Sequence, residues 1–363
     1  MEKKDFHSNY KVSSLNPNKG KVAWKSPSNL AIVKYWGKYG EQLPRNPSIS
    51  ITLSEATTET TVQYSFNPEQ RSAEIEFYFE GEKNIPFENR ITKFLSGLHK
   101  YFPFLESSSL IVHSSNSFPH SSGIASSASS MSALAICLCD IEKQLAPTSY
   151  SQGKEYFFHK ASFISRLGSG SACRSVFPKF GLWGETEGDE KSSDLYAIPF
   201  EDYHPIFDTI HNDILIVSTK EKSVSSSAGH QLMETNHYAD RRFEQAKNRV
   251  IELKEMLKRG DVDSFGEMLE SEALTLHALM MASNPSYLLM EPKTLIVIDE
   301  IRQFRKNTGV PIYFSLDAGP NVHIISFEKD REKVGLFLSE LKKHAVQGNI
   351  ISDKIGEGAI KIS

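Results

Sequence analysis

The sequence has 363 residues, more than the roughly 250 to 300 at which one hydrophobic core usually stops growing, so two domains are expected. Its composition is that of a globular protein, with 39% hydrophobic and 24% charged residues. The net charge of −4 argues against a nucleic acid or an acidic membrane as a partner held by bulk charge, so any anion site must be local.

The lysine-containing N-terminal stretch and the cysteines indicate a cytoplasmic protein. No apolar stretch long enough for a signal peptide follows the first lysines, and no later run approaches the ~20 apolar residues of a membrane span. The three cysteines, Cys137, Cys139 and Cys173, are an odd set, which favours reduced thiols over disulfides and small core residues over metal ligands.

The first part of the chain alternates strand and helix patterns. From about residue 22 to 65 the residues are alternating or β-branched, and Gly81 ends a later alternating run. The predicted strands cover 30–36, 48–66, 73–81, 108–116 and parts of 180–200. The predicted helices cover 89–102, a segment that ends near Leu145, and about 152–166.

A second series of elements begins near residue 213. We expect a strand at 213–219, long helices in 231–259 and 261–282, two strands within 309–327 and a late amphipathic helix over 331–345. Because strands and helices alternate without a strict βαβ period, the pattern indicates two α+β domains joined near 200–210.

The segment FPHSSGIASSAS, residues 118–129, places small and hydroxyl side chains at the start of a predicted helix. A helix N-terminus leaves backbone N–H groups unpaired and carries a partial positive charge, so such a segment can hold a phosphate. Gly123 permits close approach, and the serines can bind phosphate oxygens or Mg²⁺. A capped helix packed tightly on a neighbour is the alternative, and no Walker loop occurs in the sequence.

This segment resembles the phosphate loop of the GHMP kinase superfamily. PSNLAIVKYWGKYGEQLPRNPSISITLS, residues 27–54, is similar to the N-terminal motif of the superfamily's diphosphomevalonate decarboxylase branch. RLGSGSACRSVF and DAGPNVHII agree with that branch and follow in the family's order. The resemblance spans roughly residues 26 to 326.

The resemblance implies an α+β, two-domain GHMP kinase fold with the active site in the cleft between the domains. Residues 1–205 would form the ribosomal-protein-S5-like domain and 206–363 the ferredoxin-like domain. The implied activity is the ATP- and Mg²⁺-dependent decarboxylation of mevalonate 5-diphosphate to isopentenyl diphosphate through phosphorylation of the 3-hydroxyl. A homodimer is the family expectation.

Three residues carry the implied catalysis. Lys34 would lie near the reacting hydroxyl and the transferring phosphate, Asp317 would act on that hydroxyl as general base or orienter, and Arg174 would grip the carboxylate bidentately. Without the resemblance, each is also compatible with a structural role: a solvated lysine, an arginine in a salt bridge, or a turn aspartate that caps its own backbone.

The remaining implied residues bind the two substrates. Those assigned to the nucleotide are Asn116, Pro119, Ser121, Ser122, Gly123, Ala125, Ser126 and Ser127, with Ser127 also a candidate Mg²⁺ ligand. Those assigned to mevalonate 5-diphosphate are Asn29, Tyr35, Lys38, Ser169, Ser171, Arg174 and Ser226.

The sequence departs from the family at two places. Ser227 stands where some bacterial members have arginine, so the diphosphate affinity would depend more on Lys38, and His120 lies in the phosphate loop, where we expect it to face solvent. A phosphomevalonate decarboxylase, a mevalonate 3-kinase and a catalytically silent nucleotide-binding scaffold are the alternatives. The presence of both Lys34 and Asp317 favours a decarboxylase.

Overall fold

The computed structural model describes residues 1–10, 19–67, 69–118, 124, 126–220 and 224–363. Within these ranges the chain forms two large sheets, each packed on helices, and a two-stranded hairpin, β2 with β3. The strands are β1 Lys19–Ala31, β2 Lys38–Tyr39, β3 Leu43–Pro44, β4 Ser48–Phe66, β5 Glu74–Phe79, β6 Glu82–Lys83, β7 Ser108–Asn116, β8 Phe180–Trp183, β9 Ala197–Pro199, β10 Ile210–Leu215, β11 Tyr313–Leu316, β12 Val322–Phe327, β13 Ile350–Lys354 and β14 Ile360–Lys361. The helices are α1 Ile85–Ser96, α2 Ser126–Leu145, α3 Gly153–Gly168, α4 Ser226–Leu232, α5 Ala239–Arg259, α6 Val262–Met281, α7 Pro292–Thr308 and α8 Arg331–Leu341.

The first sheet is organised around the long strand β4. It runs in the order β14-β1-β4-β7-β5-β6, and β8 pairs with the beginning of β4 and with β9. The β4 strand is antiparallel to β1, with Val22 opposite Val62, and the register shifts between Pro27 and Asn29. Helices α2 and α3 bury their apolar residues against this sheet, so its core includes side chains from all three.

The second sheet is antiparallel, in the order β11-β12-β10-β13. Strands β10, β11 and β12 are almost entirely buried, β13 is only partly buried, and the sheet forms a second core with residues of α6, α7 and α8. The two sheets and their helices confirm the predicted α+β class.

The last strands connect the two sheets. After β13 in the second sheet, residues 360–361 pair with β1 of the first, so that Ile360 lies opposite Lys25. The buried carboxylate of Asp353 accepts hydrogen bonds from the backbone N–H groups of Ser54, Glu55 and Ala56 at 2.7–2.8 Å. Neither β13 nor β14 was predicted from the sequence.

The predicted strand through Lys34 is wrong, because β1 ends at Ala31. The Lys34 N–H donates to Glu272 Oε2 at 2.7 Å, and its carbonyl accepts from Asn46 Nδ2 at 3.1 Å and Arg242 Nη2 at 3.0 Å. Side chains therefore satisfy the backbone groups that a strand would pair in a ladder.

Two predicted helix boundaries also differ. The helix expected over 89–102 begins at Ile85, because the Asn84 side chain caps it by accepting from the Phe87 N–H at 3.0 Å. The helix expected over 231–259 is two helices, α4 and α5. Asn236 lies between them, and its side chain donates to the Leu279 carbonyl at 3.0 Å and accepts from the Tyr238 N–H at 2.9 Å.

The three cysteines are buried free thiols, as predicted. Burial raises the pKa of each thiol, which keeps it protonated and unreactive. Among the described helices, none has both the length and the apolar character needed to cross a lipid bilayer.

Candidate active site

A cavity of about 310 Å³ lies between the two halves of the chain. The first half contributes the segment around Lys34, the short 3-10 helix Gly170–Val176 and Ser127, and the second half contributes α4, part of α6 and the loop after β11. The sequence-predicted residues that line it are Asn29, Lys34, Tyr35, Lys38, Ser127, Ser169, Ser171, Arg174, Ser226 and Asp317.

The charges around the cavity favour an anion. Among the described lining residues, four side chains are cationic, those of Lys34, Lys38, Arg90 and Arg174, and one is a carboxylate, that of Asp317. This positive excess occurs in a chain of net charge −4, so it is a local feature of the cavity and not a consequence of the overall charge.

Arg174 is buried, at 2% exposure, and has no carboxylate partner among the described residues. Its Nη2 donates to Asn29 Oδ1 at 3.3 Å, its Nη1 donates to Ser48 Oγ, and its buried Nε has no partner in the described chain. Burial lowers the pKa of the guanidinium, and Asp317 partly offsets this. A buried cation without a counter-charge is costly unless a ligand supplies the charge.

Lys34 and Asp317 form an ion pair inside the cavity. Lys34 is 2% exposed, and its Nζ lies 3.1 Å from Asp317 Oδ1 and 3.0 Å from Ser315 Oγ. Burial lowers the pKa of Lys34, and the Asp317 carboxylate opposes that shift. The pair places a cation and a proton acceptor side by side.

A buried network outside the cavity holds the Lys34 backbone. Arg242 makes two bonds of 2.6 Å to Glu272, which accepts from the Lys34 N–H, and Arg242 itself donates to the Lys34 carbonyl. Burial raises the pKa of Glu272, but Arg242 and Arg249 outweigh it, so the net shift is downward and the carboxylate stays ionised. These contacts could not be predicted from the sequence around Lys34, because Glu272 and Arg242 lie more than 200 residues away along the chain.

Tyr35 and Lys38 follow Lys34 along the cavity wall. The Tyr35 hydroxyl is buried without a partner in the described chain, and the backbone of Gly170 lies so close that a Cβ there would be 2.7 Å from it. Lys38 Nζ donates to Gln42 Oε1 at 2.9 Å, and partial burial lowers the pKa of this lysine. Both residues line the cavity, although the Tyr35 hydroxyl itself is buried.

The predicted serines occupy different parts of the site. Ser127 Oγ lies 3.3 Å from Ser169 Oγ, at the start of α2. The carbonyl of Ser171 accepts from Asn29 Nδ2 at 3.2 Å, and Asn29 also donates to Ser175 Oγ. Asn29 therefore positions both the segment 171–175 and the side chain of Arg174. Ser226 is exposed at the start of α4 and lines the open side of the cavity.

A second, more apolar cavity of about 240 Å³ adjoins the first. Phe77, Phe79 and Phe87 line it, together with Asn116 and Ser126 of the predicted nucleotide site. Ser127, Gly168 and Arg90 line both cavities, so the two meet there. The three phenylalanines were not predicted, although two of them alternate along β5.

The centre of the predicted phosphate loop lies outside the described residues. This applies to Pro119, Ser121, Ser122, Gly123 and Ala125, and to His120. In the described part of the chain, no cluster of three or more His, Cys, Asp or Glu side chains could hold a metal ion. Mg²⁺ bound through nucleotide phosphates and one or two protein oxygens needs no such cluster, and the Ser127 hydroxyl at the junction fits that mode.

Two family models match most of the chain. The Diphosphomevalonate decarboxylase-like N-terminal domain matches residues 26–194, and the Mevalonate 5-diphosphate decarboxylase C-terminal domain matches residues 213–358.

Individual relatives agree with these models. The chain is 29% identical to a diphosphomevalonate decarboxylase of Ganoderma lucidum over 351 residues, which cover 91% of this chain and 84% of the relative. Among solved structures, the mevalonate diphosphate decarboxylase of Staphylococcus aureus has a TM-score of 0.80 at 27% identity, covering 95% of this chain and 98% of that one. A structure described as MDDEF in complex with MVAPP, AMPPCP and magnesium has a TM-score of 0.79 at 27% identity, with 95% and 99% coverage.

Proposed function

The chain belongs to the diphosphomevalonate decarboxylase family, and from that premise we infer its reaction. It uses ATP to phosphorylate the 3-hydroxyl of (R)-mevalonate 5-diphosphate. Loss of that phosphate together with CO₂ then gives isopentenyl diphosphate, with ADP as the other product. The activity is that of an ATP-dependent carboxy-lyase of the mevalonate route to isoprenoids.

The buried guanidinium of Arg174, which has no carboxylate in salt-bridge contact among the described residues, is the observation that carries this assignment at the site. A substrate carboxylate would supply the missing counter-charge and could accept two hydrogen bonds from the planar fork. Fixing the carboxylate in this way would also align the C–C bond that breaks as CO₂ leaves. Arg174 thus has a role in the decarboxylation step, which a simple kinase does not need.

We propose that the Lys34–Asp317 pair acts on the 3-hydroxyl. The Asp317 carboxylate, 3.1 Å from Lys34 Nζ, would accept or orient the hydroxyl proton as phosphoryl transfer begins. Lys34 would stabilise the negative charge on the transferring phosphoryl group. Phosphoryl transfer depends mainly on positioning and charge stabilisation, so the Glu272–Arg242 clamp on the Lys34 backbone serves the same step.

The substrate diphosphate is assigned to Lys38, Tyr35 and Ser226. All three residues line the cavity, and the Tyr35 hydroxyl is buried without a partner in the described chain. Ser169 and Ser171 line the same cavity and are assigned to the body of the substrate.

The nucleotide is assigned to the aromatic cavity and to the residues at the junction. Phenylalanine rings provide stacking surfaces for a base, while Asn116 and Ser126 line the same cavity. The phosphates would then reach the main cavity past Ser127, where the phosphate loop precedes α2. Mg²⁺ bound there would supply charge neutralisation on the phosphates, and Ser127 is its proposed protein ligand.

Two expectations about organisation remain proposals. We propose the division into domains 1–205 and 206–363, which is consistent with family matches that end at residue 194 and resume at 213. We also propose a homodimer, which light scattering coupled to gel filtration would distinguish from a monomer.

The test is incubation of the protein with ATP, Mg²⁺ and mevalonate 5-diphosphate. ADP and CO₂ in equal amounts are the expected products. ADP without CO₂ would indicate a 3-kinase, and neither product would indicate a silent scaffold. A parallel reaction with mevalonate 5-phosphate identifies the preferred phosphate count, since a lower kcat/KM for the diphosphate would overturn its assignment as substrate.

A further inference from the structure

His230 occupies a confined position on the wall of the main cavity. Its ring lies between Tyr35 and Trp36, with ring centroids 4.3 and 4.5 Å away, and the residue is 9% exposed. The preceding Gly229 packs closely on the same indole, because a Cβ there would be 2.6 Å from the Trp36 ring. The imidazole is therefore confined between packed side chains.

Hydrogen bonding determines which ring nitrogen carries the proton. The Gly37 N–H donates to His230 Nδ1 at 3.0 Å, so Nδ1 is the acceptor and a neutral ring carries its proton on Nε2. Burial, reinforced by Lys38 and Arg174, lowers the pKa of His230 to about 3, so the ring is neutral at physiological pH. No described residue accepts a hydrogen bond from Nε2–H, and His230 lines the cavity.

The neighbours of the ring indicate which part of a ligand it meets. His230 and Ser226 are one turn apart on α4, so both lie on the same face of that helix. The Tyr35 ring packs against the imidazole at an angle of 38°, and Lys38 is close enough to influence its titration. These three neighbours are the ones assigned above to the substrate diphosphate.

We propose that His230 is a further substrate-binding residue, whose neutral Nε2–H donates a hydrogen bond to a phosphoryl oxygen of the substrate's 5-diphosphate. The proposal rests on the proposed function and deepens it. A neutral donor adds a hydrogen bond to the anion without placing another positive charge between Lys38 and Arg174. The hydrogen bond from His230 would also replace part of the diphosphate contact that family members with arginine at position 227 have and that Ser227 lacks.

Two amide variants separate the donor from the rest of the ring. His230→Asn keeps an acceptor near the Nδ1 position for the Gly37 N–H but removes the Nε2–H. His230→Gln places an amide N–H near the Nε2 position and gives up the Nδ1 acceptor. The measurement is calorimetric titration of native protein and both variants with mevalonate 5-diphosphate in the absence of nucleotide.

We expect His230→Asn to raise the Kd at least about tenfold, the loss typical of one hydrogen bond to a charged group, and His230→Gln to stay within about threefold of the native Kd. Equal affinity of native and Asn proteins would overturn the proposal. So would an equal loss in both variants, since the donor would then not be the feature that matters.

Isopentenyl diphosphate identifies the group contacted, because it keeps the diphosphate and lacks the carboxylate. In competition with mevalonate 5-diphosphate it should lose affinity for His230→Asn by a factor similar to that of the substrate. An unchanged affinity for isopentenyl diphosphate would indicate that His230 contacts the substrate carboxylate instead, and it would refute the proposal. Failure of the native protein to bind mevalonate 5-diphosphate would instead refute the proposed function, and this inference would fall with it.

Discussion

Replacing Arg174 by Gln removes the buried positive charge while keeping an amide that can donate to Asn29 or Ser48. A guanidinium has five N–H donors, of which two are used in the described structure. A substrate carboxylate can therefore accept two charge-assisted bonds from the remaining donors, each worth about 1.5–3 kcal/mol. Their loss corresponds to about 3–6 kcal/mol, or about 10² to 10⁴ in kcat/KM for mevalonate 5-diphosphate.

The same substitution should not destabilise the protein in the absence of substrate. Burying an unpaired charge costs several kcal/mol, and this cost disappears in the Gln variant. The Gln amide can keep one of the two buried hydrogen bonds, and the loss of the other costs about 1–3 kcal/mol, which offsets part of the gain. We therefore expect the free energy of unfolding to stay within about 1 kcal/mol of the native value or to rise.

Initial rates of ADP release and urea unfolding curves measure the two effects. Arg174→Lys keeps the charge without the planar fork and should lose about 10- to 100-fold in kcat/KM. Arg166→Gln is the matched control, because Arg166 is also buried but donates to the backbone carbonyls of Leu195 and Glu41 and does not line the cavity. It should lower the stability by about 1–3 kcal/mol and leave the substrate KM within about threefold.

A loss of stability without a loss of activity would refute the assignment of Arg174 to the substrate carboxylate. If Arg174→Gln lost several kcal/mol of stability but turned over normally, Arg174 would be a structural residue and the carboxylate would bind elsewhere.

Three further predictions follow. Asp317→Asn should lower kcat on the order of a hundredfold or more with little change in substrate KM, as measured by ADP release, and near-native turnover would contradict its catalytic assignment. Phe87→Ala should raise the KM for ATP about tenfold through lost stacking on the base. The Kd for mevalonate 5-diphosphate, titrated without nucleotide, should stay unchanged. An unaltered KM for ATP would show that the base does not bind in this cavity. Burial lowers the pKa of His230 to about 3 and that of His323 to about 4. Below pH 6.5 the unfolded chain therefore binds protons that the native chain does not, and each histidine should cost about 1.4 kcal/mol of stability at pH 5.5. His323→Gln should reduce the difference in urea stability between pH 7.5 and 5.5 by that amount, and the same difference as in the native protein would disprove it.

The sequence indicated which residues would line the cavity better than it indicated the structure around them. Lys34, Arg174 and Asp317 each lie in a short block of distinctive residues, so their identification needed no knowledge of long-range contacts. The structure brings all three to one cavity. What the sequence could not supply was the conformation at Lys34, where bonds from Glu272 and Arg242 override a strand-like pattern.

The residues that were missed depend on tertiary contacts. The break between α4 and α5 is stabilised by Asn236 through a bond to a carbonyl 43 residues away, which no local periodicity reports. His230 lies three residues after Ser227, in a stretch where the sequence analysis singled out only serines. Its proposed role depends on the long-range bond from the Gly37 N–H to Nδ1.

The return of the chain from the second sheet to the first limits how the protein can open. The halves are joined near residues 200–210 and again through Asp353 and the pairing of β14 with β1. Rotation of the two halves about a single hinge would have to break the β14–β1 pairing and the three backbone N–H hydrogen bonds to the Asp353 carboxylate. We therefore expect the two sheets to keep their mutual orientation during turnover, so that substrates enter and products leave through rearrangement of short segments at the cavity rim.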